Sequence, residues 1–82
     1  MRRIFIMTKD GENLIEFAPG MRLRLHDFKG YTYPTIELYI DKDNYITLGE
    51  YYSVEDCKDK FDKLIDYITR ATNGYPDFYF QM

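Results

Sequence analysis

At 82 residues with a single cysteine, the chain has room for one small core, and neither an internal disulfide framework nor a multi-cysteine zinc site can be built from it. Its 45% hydrophobic and 18% aromatic content is that of a globular domain, and a net charge of −3 does not favour a dominant phosphate-binding surface. Charge is uneven, however: residues 1–30 carry six basic and four acidic side chains, whereas residues 31–52 carry four acidic ones and only Lys42.

The predicted order begins with an apolar strand over residues 2–8, whose start is too short for a signal-peptide core or a membrane span. A soluble, cytoplasmic protein is therefore expected. Asp10-Gly11 is a strong hairpin signal because it accepts positive φ, and residues 13–18 form the returning strand. After Pro19-Gly20, Met21, Leu23 and Leu25 alternate with Arg22, Arg24 and His26, the period-2 pattern of a half-buried strand with a cationic outer face. Gly30 and Pro34 bracket a turn, and Ile36, Leu38 and Ile40 then alternate with Thr35, Glu37 and Tyr39. Asp41 to Asn44 closes the next hairpin, and residues 45–52 return with Ile46 and Leu48 inward.

Ser53 offers its hydroxyl to a first-turn amide, and Glu55 and Asp56 suit the positive end of a helix. Val54, Cys57, Phe61, Leu64, Ile65 and Ile68 recur at spacings of three and four, which makes one apolar stripe for the core. Asn73-Gly74 and Pro76 end the helix. The expected fold is α+β: an antiparallel sheet of four to five strands over residues 2–52, packed on one amphipathic helix over residues 54–72. The whole of residues 1–82 is one domain, and its aromatic tail, residues 75–82, is expected to dock on it or to meet a second copy.

Three surfaces are candidates for binding. The outer sheet face collects Arg22, Arg24, His26, Glu37, Tyr39 and Tyr45, with Thr35 and Thr47 beside them. Polar residues are ordinary on the wet side of an antiparallel sheet, yet tyrosine and arginine supply the contact area and directional bonds typical of interface hot spots. The helix carries an acidic ridge of Glu55, Asp59, Asp62 and Asp66. Pairs at i,i+4, namely Asp59–Lys63, Asp66–Arg70 and Asp56–Lys60, make a solvated face the simpler account of it. The tail supplies Tyr75, Phe78, Tyr79 and Phe80 as a third surface.

His26 is the only histidine and Ser53, the only serine, is placed as a cap. Cys57 falls on the apolar stripe, where a buried thiol is inert. These three residues leave little for hydrolase chemistry. Asp41-x-Asp43 is not a calcium loop, because Ile46 stands where an EF-hand needs its sharp-turn glycine. No metal or cofactor is implied.

The stretch Ile46-x-Leu48-Gly49-x-Tyr51-x-Ser53-x-Glu55-x-Cys57-Lys58, followed by an amphipathic helix, resembles the C-terminal half of small proteins found in phages and mobile elements of Gram-positive bacteria. The resemblance implies no catalytic residues. Phage genomes carry many small, acidic inhibitors of host defence, anti-CRISPR proteins among them, so it favours a role of that kind. The expected function is a non-enzymatic protein-interaction module, possessing no membrane segment. Binding of RNA or single-stranded DNA by the Arg/Tyr face is the alternative, and a metal-independent ribonuclease using His26 with Arg22 or Arg24 is a weaker one.

Overall fold

Alternating side chains and two aspartate-bearing turns set the first elements of the computed structural model, which describes residues 3–27, 33–72 and 79–82. The turn signals at Gly30, Asn73-Gly74 and Pro76, and the tail residues Tyr75 and Phe78, lie outside the described residues. Strands β1 (Ile4–Met7) and β2 (Leu14–Phe17) pair antiparallel, with Ile6 opposite Ile15. Their connection is closed by the Asp10 carboxylate, which accepts from the Thr8 hydroxyl at 2.6 Å and the Glu12 amide at 3.0 Å. Gly11 follows at φ +76°, a left-handed conformation that glycine enters at no steric cost.

Strands β3 (Arg22–His26), β4 (Thr35–Tyr39) and β5 (Tyr45–Glu50) form an antiparallel meander with β4 in the middle. The β4–β5 turn is built on Asp41, whose carboxylate accepts from the amides of Asp43 and Asn44 at 2.8 and 3.0 Å. These bonds, with those from the Asn44 side chain as the largest influence, hold the Asp41 carboxyl below the usual carboxylate range.

The helix α1 runs from Val54 to Thr72, as the capping pattern predicts. The Asp56 amide donates to the Ser53 hydroxyl at 3.1 Å, satisfying one of the first-turn donors that a helix leaves unpaired. The buried stripe is rotated from the expected one. Cys57, Leu64, Tyr67 and Ala71 are buried, whereas Val54 and Ile65 are 44% and 42% exposed. Residues 64, 67 and 71 share a face at spacings of three and four, and Ile65 stands about 100° away from Leu64.

The α+β class and the single helix agree with the sequence. The five expected strands all form, but they do not make one sheet: among the described residues six strands divide into two three-stranded sheets, in the orders β2-β1-β6 and β3-β4-β5. The sixth, β6 (Phe80–Gln81), lies parallel to β1. Its docking is reinforced by the Met82 amide on the Met7 carbonyl and the Gln81 side chain on the Thr8 carbonyl, both at 3.0 Å. A bulge on β5 provides a link between the two sheets. Ile36 opposes Gly49 and Glu37 opposes Thr47, so Leu48 has no partner on β4. Its carbonyl accepts instead from the Lys9 amide at 2.9 Å, and that bond ties the two sheets together. One core fills the space between them, built on Ile6, Ile36, Leu38, Leu48, Cys57, Leu64 and Met82.

Candidate functional site

The meander register sorts the outer-face residues into three rows. Arg22, Tyr39 and Tyr45 stand abreast; Arg24, Glu37 and Thr47 follow; His26, Thr35 and Glu50 make the third. In the first row the rings of Tyr39 and Tyr45 stack with centroids 5.2 Å apart, which leaves Tyr45 53% exposed. Arg22, Arg24 and Tyr39 line a cavity of about 320 Å³ together with Lys42, which reaches it from the β4–β5 turn. Among the described residues none of these three cations makes an ion pair.

The middle row differs from the sequence expectation of a wholly wet face. Glu37 is only 2% exposed and Thr35 is buried as well. Neighbouring side chains converge on the Glu37 carboxylate: the Tyr39 hydroxyl donates to it at 3.2 Å, the Thr35 hydroxyl at 3.5 Å, and His26 Nδ1 lies 3.6 Å away. A carboxylate out of water needs such partners, since burying a charge without them is costly. Arg24 is its cross-strand neighbour by register yet forms no ion pair with it. His26 is turned towards Glu37 and is not among the residues lining the cationic cavity, so the two arginines and the histidine do not surround one space.

A second cluster has no counterpart in the sequence reading. Lys9 lies 4.1 Å over the Tyr51 ring and donates to the Glu50 carbonyl, while Tyr33 and Tyr52 meet edge to face at 5.3 Å. Tyr52 is 82% exposed. Lys9 divides two hollows at the seam between the sheets, one of about 510 Å³ against Thr47–Glu50 and one of about 140 Å³ against Tyr33 and Tyr52. Gly49 permits this packing, because a Cβ there would meet the Tyr51 hydroxyl at 2.9 Å and Lys9 Cβ at 3.2 Å. The adjacent tyrosines at 51 and 52 were the available signal, but nothing local joins them to Lys9 and Tyr33.

The other nominated residues lie apart from both clusters. Glu55, Asp59, Asp62 and Asp66 are exposed along α1; Asp59 pairs with Lys63 and Asp66 with Arg70, each at 3.0 Å. Among the described residues Asp56 and Lys60 form no pair, and Lys60 lies 5.3 Å from the Phe80 ring centre instead. Phe80 is half-buried with its ring 5.3 Å from that of Tyr67, and Tyr79 is exposed. Burial pushes the Cys57 thiol up to about 11, and the Asp27 carboxylate acts in the same direction. A thiol so protonated at neutral pH is a poor nucleophile.

Among the described residues no group of three or more His, Cys, Asp or Glu side chains is placed to hold a metal ion, and no helix is long and apolar enough to cross a membrane. Comparison with protein-family models, curated proteins and solved structures finds no match. Function must therefore be argued from the two exposed clusters.

Proposed function

We propose that the chain is a non-enzymatic interaction module that docks a partner protein on the outer face of the β3–β4–β5 sheet. The observation that carries this reading is the cavity of Arg22, Arg24 and Lys42 around Tyr39, with its cations unpaired among the described residues and its tyrosine braced by Tyr45. Arginine and tyrosine recur in binding hot spots because a planar donor fork and a rigid, amphipathic ring give directional contacts at small entropic cost. The resemblance to phage and mobile-element proteins would make the partner a host protein and the module its inhibitor, as anti-CRISPR proteins are. Capture of partners from a bacterial lysate by immobilised protein tests the reading. Wild type should retain a specific partner that a Tyr39→Ala/Tyr45→Ala variant loses; equal capture by the two would count against this face.

A second reading draws on the exposed Tyr45 ring beside Arg22. A base can stack on such a ring while arginine holds the adjoining phosphate, as in single-stranded RNA or DNA recognition. It requires affinity for an oligonucleotide that falls steeply between low and moderate salt, and affinity indifferent to salt would exclude it. Ribonuclease activity is the remaining alternative, and retained cleavage in His26→Ala would remove it.

A further inference from the structure

The turn that brings Lys42 to the cationic cavity also carries two exposed carboxylates, and that pattern discriminates between partners. At about 320 Å³ the cavity is large enough for one or two side chains. Lys42 enters it from a turn that also holds Asp41 and Asp43, both exposed. The Asp41 carboxylate is fixed by the Asn44 side chain at 2.9 and 3.1 Å and by the turn amides, so its negative charge is held in place. On the neighbouring row stands the buried Glu37 carboxylate. Three positive charges thus line the cavity, and the turn at one end of it carries two exposed negative charges.

A nucleic-acid backbone carries a negative charge at every step. A strand seated on Arg22, Arg24 and Lys42 and continuing over the turn would bring further phosphates towards Asp41 and Asp43, within the distance where like charges repel at physiological salt. The net charge of −3 adds to that cost. A protein surface can alternate its charges. Its carboxylate could take paired N–H bonds from an arginine fork, while a cation beside it meets the aspartates of the turn.

From this charge pattern we infer that the face binds a partner-protein patch with a carboxylate side chain at its centre, received by Arg22, Arg24 and Lys42, and lysine or arginine at its rim, received by Asp41 and Asp43. The inference rests on the reading of this face as protein-binding and specifies the chemistry of the partner.

Two peptides of one composition and opposite pattern test it: acetyl-Lys-Glu-Tyr-Glu-Lys-amide, with carboxylates inside, and acetyl-Glu-Lys-Tyr-Lys-Glu-amide, with carboxylates outside. Each is titrated into isotope-labelled protein and followed by amide and arginine side-chain NMR shifts, with decauridylate as a third probe. The first peptide should move signals of Arg22, Arg24 and Lys42 and bind about fivefold more tightly than the second, the preference expected of two or three exposed ion pairs. Arg24→Ala and Lys42→Ala should each reduce that preference, and Asp43→Asn should weaken the first peptide while strengthening the second. Equal binding of both peptides at these residues would overturn the charge pattern and leave a protein-binding face standing. Tighter, salt-dependent binding of decauridylate at the same residues would overturn both readings. Absence of shifts at Arg22, Arg24 and Lys42 with both peptides would overturn the inference as well.

Discussion

The two sheets are of equal strand number and unequal construction. In β3–β4–β5 the central strand is flanked along its whole length, its inner residues Ile36 and Leu38 are fully buried, and α1 packs across it. In β2–β1–β6 only Ile6 of β1 is fully buried, Leu14 is exposed, and β6 contributes two residues. A central strand sealed on its inner face gives a rigid base to the side chains on its outer face. Beyond its own ladders, the β2–β1–β6 sheet is held by the Lys9 amide on Leu48 and by the Gln81 side chain and Met82 amide on the Thr8 and Met7 carbonyls. The meander is therefore the sheet that can present Arg22, Tyr39 and Tyr45 in fixed register.

The sharpest way to break this comparison is to empty each sheet in turn. Leu38→Ala should cost about 2–5 kcal/mol in urea unfolding, the range for a leucine deleted from a closed core. Ile15→Ala on half-buried β2 should cost roughly half as much. Equal losses would mean that the sheets contribute alike. Gly49→Ala tests the seam: its methyl would press on the Tyr51 hydroxyl and Lys9, and a loss of about 1–3 kcal/mol is expected in thermal unfolding. Ser53→Ala, which removes the cap of the helix that covers the meander, should cost about 1 kcal/mol.

Arg22→Ala and Arg24→Ala should change stability by no more than about 0.5 kcal/mol, since both are exposed and form no ion pair among the described residues, while partner capture falls. A large stability loss would recast these residues as structural. The smallest effect at neutral pH belongs to Tyr51→Phe, because the buried hydroxyl has no hydrogen-bond partner among the described residues. Its signature lies in alkali. Burial pushes the Tyr51 phenol from its ordinary 10 up to about 12, so above pH 10 the unfolded chain releases a proton that the native state retains. The wild-type contribution is intact below pH 10 and is lost as pH rises towards 12. Unfolding measured across that window should show a steeper decline in wild type than in Tyr51→Phe.

The parts legible in the sequence are those governed by local period and local capping. Alternation alone places Arg22, Arg24 and His26 on one face with Tyr39 and Tyr45, and the Ser53 hydroxyl marks the helix start. The link between the two sheets depends on the Leu48 bulge and its bond to Lys9, groups far apart along the chain. A two-residue strand such as β6 has no period to detect. Glu37 reads as a solvent-facing residue because its burial comes from the convergence of Tyr39, Thr35 and His26, which only the assembled register creates. On α1, Ile65 and Tyr67 compete for the core, and the choice falls to Tyr67 where the Phe80 ring receives it.

The bond from Lys9 to Leu48 turns one amide into a gauge of the whole assembly. Its hydrogen can exchange with solvent only when the hairpin lifts away from the bulge, whereas the amide of Leu38 is protected for as long as the meander and helix persist. Exchange at Lys9 that outpaces exchange at Leu38 would identify the parting of the sheets as a motion separate from unfolding. Exchange at one common rate would make the molecule a single cooperative unit, in which a carbonyl left over from one ladder helps to fasten the other sheet.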